Sequence, residues 1–301
     1  VRTAYLGTSE FAAAVLRDLA DSRHRPQLVV APPDRPRGRG RRSGSPPAAL
    51  AATELEIDLL QGENVNDEAV LERIRAARPE AVVVCAFGQL IREPLLSELP
   101  LLNVHPSLLP RWRGAAPIER AIMAGDERTG VCVMRLTEGL DSGPVALREE
   151  IAIGPEDDFE SLSGKLAALG GELLVRALDL QEEGNLHFVD QDDGEATYAE
   201  KIEPAERRLD PGRPARELAR TVRALTPHVG AYLEAGDESR LGVRRARAVD
   251  VGVRQGEMKA EWGALLLGCG RGALRLEVVQ APGGRPMAAD AYLRGHTVPV
   301  L

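Results

Sequence analysis

TAYLGTSEFAAAVLRDLA, residues 3–20, carries the pattern that decides the fold. Residues 3–6 form a short apolar run and Gly7-Thr8-Ser9 a tight turn. From 10 to 20, Phe11, Val15, Leu16 and Leu19 then recur at helical spacing. A strand, a glycine turn and an amphipathic helix, in that order, open a doubly wound α/β domain. No G-x-G-x-x-G accompanies the turn, so the dinucleotide fingerprint is absent. Working outward, 27–31 reads as the second strand, 47–54 as a helix, 57–60 as a strand and 67–77 as an amphipathic helix. AVVVCA (81–86) is apolar throughout, as a central parallel strand covered on both faces should be. Strands follow at 130–136 and 145–153. Asp157 or Asp158 is expected to cap a helix running to about 181, with Leu162, Leu166, Leu169, Leu173 and Leu174 on its apolar side.

The alternation then stops. Residues 182–207 are acidic, with little apolar periodicity, and read as a linker. Beyond a helix at 214–225, short strands at 229–234, 241–249, 262–267 and 274–279 lie between glycine clusters, with a helical turn at 288–294. That density of strands predicts a small antiparallel barrel of OB-like type. The chain therefore divides into a Rossmann-like parallel-sheet domain over 1–182, a linker over 183–205 and a smaller C-terminal domain over 206–301.

At 301 residues, with 44% hydrophobic and 28% charged, the composition is that of a folded globular chain. No apolar run approaches the ~20 residues of a membrane span, and the first residues run directly into a strand without an export signal, which predicts a cytoplasmic protein. Cys85, Cys132 and Cys269 are far apart and lie in or beside apolar runs, as reduced core thiols would. Neither C-x-x-C nor H-x-x-x-H occurs, so no metal site is expected. The net charge of −8 hides an asymmetry: residues 1–205 carry −13 and residues 206–301 carry +5. Within the acidic part, DRPRGRGRR (34–42) sets five arginines against one aspartate in a glycine-rich loop. A basic arm and a basic C-terminal part on an acidic body suit a polyanionic partner.

The stretch NVHPSLLPRWRGAAP (103–117) carries the chemistry. Asn103 and His105 sit two apart, so at a strand end they project to one face. An amide that can donate to a developing oxyanion and an imidazole that can move a proton suit attack on a carbonyl. Pro106 and Pro110 stiffen the loop around them. A second motif, Gly139-Leu140-Asp141-Ser142-Gly143, follows a later strand.

Together the two motifs resemble the signature of the folate-dependent formyltransferases, and SLLPRWRGAAP is similar to the branch of that family that acts on methionyl-tRNA. GTSEFA near the start, AFGQLI (86–91) and YAEKI (198–202) fall in family order, so the resemblance covers essentially the whole chain. Ser9 stands where that family usually has proline, and Thr226-Pro227-His228-Val229-Gly230 replaces its more common N-P-W-P-G. The resemblance implies Asn103, His105 and Asp141 as the catalytic set and 10-formyltetrahydrofolate as co-substrate. It assigns Phe87, Gly88, Gln89, Leu90, Ile91, Ser107, Leu108, Leu109, Pro110, Gly139 and Leu140 to the folate, with the pterin ring against the turns at 87–91 and 135–141, held mainly by backbone groups. It makes initiator methionyl-tRNA the acceptor, with Arg35, Arg37, Arg39, Arg41 and Arg42 on the nucleic acid, in a chain expected to be monomeric. Enzymes for amino sugars or a purine-pathway ribonucleotide would keep the same catalytic set, but neither explains the arginine loop together with a basic C-terminal part. A non-catalytic RNA-binding protein would need none of the Asn/His/Asp set.

Overall fold

The computed structural model describes residues 1–37, 42–236, 238–261 and 263–301. The chain opens with β1 (Thr3–Gly7), buried at all five positions, and α1 (Glu10–Ala20). Ser9 caps α1: its side chain accepts from the Ala12 amide and satisfies one N–H of the first turn. Gly7 is needed for close approach, since a Cβ there would lie 2.6 Å from Tyr5 Cε1 and 3.0 Å from Ala12 Cβ. Next come β2 (Pro26–Ala31), a hairpin of β3 (Arg35–Arg37) and β4 (Arg42–Gly44), α2 (Pro47–Glu54), β5 (Asp58–Gln61) and α3 (Glu68–Ala76). These lead to β6 (Ala81–Cys85), the one-turn α4 (Leu95–Glu98) and β7 (Leu101–His105). Past β7 lie β8 (Arg113–Gly114), α5 (Pro117–Ala124), β9 (Arg128–Arg135), β10 (Val145–Ala152) and α6 (Phe159–Glu182).

The main sheet has the order β10-β9-β7-β6-β1-β2-β5. From β7 to β5 every pairing is parallel. Leu6, Val30, Val82 and Val84 form one buried cluster with Val70, Leu71 and Ile74 of α3. On the other face Tyr5 donates its hydroxyl to the Ala12 carbonyl of α1, and Gly170 of α6 lies against Val104, Val131 and Val15. Both faces are thus covered by helices, as the apolar β6 required. The sheet is not parallel throughout, however: β9 runs antiparallel to β7, with Leu102 opposite Arg135 and His105 opposite Cys132. An apolar run reads the same in either direction, so strand polarity is invisible to hydropathy.

Two further departures bear on the site. The arginine loop leaves and re-enters through the β3–β4 ladder, whose base is tied by Asp34 accepting from the Gln61 amide at 2.8 Å. Hydrogen bonds from Gln61 and Ser45 hold the Asp34 carboxyl below the usual carboxylate range. The segment read as a linker is not a free connection either. Val189 bridges to Val145, and β11 (Tyr198–Ala199) pairs with β8.

From residue 215 onward the chain forms α7 (Ala215–Leu225), β12 (Ala231–Glu234), β13 (Arg240–Val249), β14 (Met258–Glu261), β15 (Ala264–Gly268), β16 (Ala273–Gln280), β17 (Met287–Ala288) and α8 (Ala289–Gly295). The order is β12-β13-β16-β15-β14, with β17 on β16, and every pair is antiparallel. Leu218, Val222 and Leu225 of α7 share a core with Val243, Leu265, Leu274 and Leu276. β14 was not foreseen because MKAE has almost no apolar alternation; Trp262, where the next strand was expected to begin, lies outside the described residues.

By packing, the chain forms two compact units: Val1–Gly114, Thr129–Ile151 and Ser163–Tyr198 in one, Ala115–Arg128, Ala152–Leu162 and Ala199–Leu301 in the other. Within the second, the unusual His228 stacks on Phe159 with ring centroids 3.7 Å apart, and its Nε2 lies 3.0 Å from Glu119 Oε1. Asp158, rather than Asp157, caps α6, accepting from the Ser161 amide at 2.9 Å. All three cysteines are buried free thiols; burial pushes Cys85 up to about 12 and Cys132 and Cys269 up to about 11. No described helix is long and apolar enough to cross a membrane.

Replacing Ser9 by Ala should cost about 1 kcal/mol of unfolding free energy through the lost cap, whereas Ser9→Asp should cost only a few tenths. Urea denaturation of the three proteins checks this, and equal midpoints for Ser9→Ala and the parent would remove the cap from the account.

Candidate active site

Asn103 and His105 lie on the buried strand β7 and face the same side of the sheet, as their spacing requires. Asp141 reaches them by an indirect path. Because β9 is antiparallel to β7, Arg135 at its end lies beside the start of β7, at the opposite end from His105. The loop after β9 doubles back and brings Asp141 over Asn103 and His105. Asn103 Nδ2 donates to Asp141 Oδ1 at 3.4 Å, and His105 Nδ1 stands 3.7 Å from Asp141 Oδ2. The Gly114 amide donates to the same Oδ2 at 2.8 Å, the shortest hydrogen bond the carboxylate receives.

The tautomer of His105 follows from its partners. Nε2 lies 2.9 Å from the Trp112 carbonyl, which can only accept, so Nε2 carries a proton. Nδ1 is then the nitrogen that gains or loses one. Its 3.7 Å separation from Asp141 Oδ2 is longer than a hydrogen bond. Asp141 itself has φ 45°, in the left-handed region that aspartate tolerates better than most side chains. Gly143 closes the turn tightly: a Cβ there would lie 2.0 Å from the Arg135 carbonyl oxygen.

The residues assigned to the folate separate into two groups. Leu90 and Leu140 are 64% and 62% exposed, and Gly88 has open space where a Cβ would project. Phe87, Ile91 and Leu109 are buried supports, and Leu136 packs against the cluster that contains Phe87 and Ile91. Gln89 spends its side chain on the Val65 amide at 2.7 Å and the Gly62 carbonyl at 3.2 Å; the Ser107 hydroxyl donates to the Arg111 carbonyl at 2.6 Å. These two side chains shape their loops rather than face a ligand. The structure leaves Leu108 and Pro110 partly exposed and Gly139 exposed.

Of the five arginines, Arg35 is exposed and lies 3.7 Å from Glu63, a surface pair of little energetic weight. Arg37 and Arg42 stand opposite each other on the β3–β4 ladder, and Arg39 and Arg41 lie outside the described residues. Three participants went unnoticed in the sequence. The Trp112 carbonyl and Gly114 amide are backbone groups, which no side-chain pattern announces. Gln191 lies in the supposed linker, yet its Nε2 donates to the carbonyls of Asp141 at 2.8 Å and Gly143 at 2.7 Å. Among the described residues, no cluster of three His, Cys, Asp or Glu is placed to hold a metal ion.

Comparison with known proteins adds an independent line. Residues 1–178 match the formyl transferase family and residues 201–297 the formyl transferase C-terminal domain. Methionyl-tRNA formyltransferases of Methylobacillus flagellatus and Parvibaculum lavamentivorans are 41% and 38% identical to it. Those alignments cover 97% and 99% of this chain and 96% and 98% of the relatives. Among solved structures, HypX from Aquifex aeolicus in complex with tetrahydrofolic acid superposes with a TM-score of 0.67 at 18% identity. That match covers 97% of this chain but only 46% of the longer HypX, and it speaks for the fold alone. With both domains matched end to end and relatives of this identity along its full length, the chain belongs to the methionyl-tRNA formyltransferase family.

Proposed function

We propose that the protein transfers the formyl group of 10-formyltetrahydrofolate to the α-amino group of the methionine carried by initiator tRNA. The observation that carries this reading is the meeting of Asn103, His105 and Asp141 around one carboxylate. An α-amine has a pKa near ~7.7, so a useful fraction is already nucleophilic at neutral pH and needs no covalent intermediate. As its nitrogen bonds to the formyl carbon, charge develops on the formyl oxygen. The Asn103 amide is a donor for it and His105 Nδ1, whenever it carries a proton, a second; one well-placed donor is typically worth ~2.7–4 kcal/mol of barrier. Asp141 accepts the proton that the amine releases and passes it to His105 Nδ1, which delivers a proton to the departing folate nitrogen, so that both groups end as they began. The Gly114 N–H holds Oδ2 in place for both events.

The remaining assignments follow from the same reading. A flat heteroaromatic ring needs exposed apolar side chains and open backbone, which Leu90, Leu140 and Gly88 offer. Arg35, Arg37, Arg39, Arg41 and Arg42 supply planar donors for phosphate, and the +5 balance of residues 206–301 favours a polyanion. The protein then works in the cytoplasm, at the start of protein synthesis, as a monomer.

Labelled formyl transfer from formyl-folate, measured on charged initiator tRNA and on free amino sugars, tests the acceptor; preference for the sugar would overturn the reading. Asp141→Asn, His105→Ala and Asn103→Ala should each lower kcat by ~10²-fold or more with folate affinity little changed, the signature of groups acting in the transition state. Near-normal turnover in any of them would remove that residue from the set. Replacing the five arginines by serine should weaken tRNA binding and leave folate binding intact. The slope of log affinity against log salt should flatten by ~0.7–0.9 per lost phosphate contact. An unchanged slope and affinity would make this arm a solvated loop.

A further inference from the structure

We propose that Gln191 is a positioning residue for formyl transfer: oriented by Arg113, its amide fixes the 141–143 turn and so sets where the Asp141 carboxylate stands. This rests on the reading of Asp141 given above.

The amide has a defined orientation. Its nitrogen faces two carbonyls, Asp141 O at 2.8 Å and Gly143 O at 2.7 Å, which can only accept. Its oxygen faces Arg113 Nε at 3.0 Å, which can only donate. A flipped amide would set oxygen against two oxygens and NH₂ against a guanidinium, so one orientation satisfies all three contacts. Arg113 is itself fixed: it is 3% exposed, and its Nη2 donates to Asp193 Oδ1 at 2.7 Å. The Arg113 amide also donates to the Thr197 carbonyl at 2.9 Å within the β8–β11 pairing.

The placement is what separates a positioning role from ordinary bracing. Gln191 bonds to the two carbonyls that bracket Ser142, one of them belonging to Asp141, whose backbone adopts φ 45°. The dipeptide Arg113-Gly114 therefore holds Asp141 at both ends: Gly114 N–H grips the carboxylate, and Arg113 acts through Gln191 on the carbonyl. A small rotation of the turn about Asp141 would carry Oδ1 and Oδ2 away from Asn103 Nδ2 and His105 Nδ1. Catalytic steps lose rate steeply for such displacements, whereas a binding surface tolerates them. The reacting groups never touch Gln191; it acts through Asp141.

Two variants separate the effects. Gln191→Met keeps the volume and deletes all three hydrogen bonds; Gln191→Glu keeps the shape and sets a carboxylate against two carbonyls. Single-turnover formyl transfer to methionyl-tRNA from formyl-folate is measured in each, alone and combined with Asp141→Asn, alongside folate and tRNA dissociation constants. Either folded variant should lose at least 10-fold in transfer rate, with both dissociation constants within threefold of the parent. Adding it to Asp141→Asn should cost less than twofold more, because the group it positions is already gone. A full 10-fold loss in both backgrounds would mean a general structural role and overturn the proposal, as would a Gln191 variant that keeps the parent rate. If Asp141→Asn itself retains normal transfer, the catalytic assignment of Asp141 fails first and takes this inference with it; that result differs from a normal Gln191 variant beside a crippled Asp141→Asn.

Discussion

The carboxylate of Asp141 is the point on which the site depends. It receives the Gly114 amide at 2.8 Å and stands beside Asn103 and His105, yet it belongs to a turn in which a non-glycine residue holds φ 45°. Such a conformation costs on the order of 1–3 kcal/mol unless its surroundings stabilise it. Here the surroundings are specific: an amide on the carboxylate, two side-chain N–H groups on the turn's carbonyls, and a glycine where any Cβ would collide with the Arg135 carbonyl. The strain is localised at the residue whose carboxylate is aimed inward, at Asn103 and His105, rather than toward water.

Sheet topology explains why so much anchoring is needed. Had β9 run parallel to β7, the turn would have emerged at the same edge as His105 and reached it directly. Running antiparallel, β9 delivers the chain to the opposite end of β7, and the loop must fold back to bring Asp141 to Asn103 and His105. The loop is closed at its base by the Arg135 amide, which donates to the Pro144 carbonyl at 2.9 Å where β9 passes to β10. Its tip is held from elsewhere in the chain: by Gly114, 27 residues before Asp141, and by Gln191, 50 residues after it.

The segment around Gln191 shows how charge alone misleads. Residues 182–207 are acidic and lack periodicity, which reads as solvated connection. Asp193 is indeed exposed, yet it pairs with Arg113, whose guanidinium is buried and must find acceptors. Removing a partner from a buried cation costs far more than the pair contributes at a surface. The same caution applies to sequence order as a guide to domains. Ala115–Arg128 and Ala152–Leu162 pack with the C-terminal residues, tied there by the Arg120–Glu206 pair and the Phe159–His228 stack, although hydropathy alternation runs through them without a break.

What the sequence determined by itself was of short range. The helical spacing of Phe11, Val15, Leu16 and Leu19 fixed α1, the unbroken apolar run fixed β6 as a central strand, and the two-residue spacing of Asn103 and His105 fixed their common face. Helix and strand periods are local geometry, and a few consecutive residues suffice to express them. Only the tertiary structure decided the direction of β9, the assignment of Nε2–H on His105 by the Trp112 carbonyl, and the reach of Gln191 into the 141–143 turn. Each of those depends on a backbone group or on hydrogen bonds between residues far apart in the chain. A carbonyl or amide has the same chemistry in every residue but proline, so nothing in the one-dimensional pattern marks which of them folding will bring to the site.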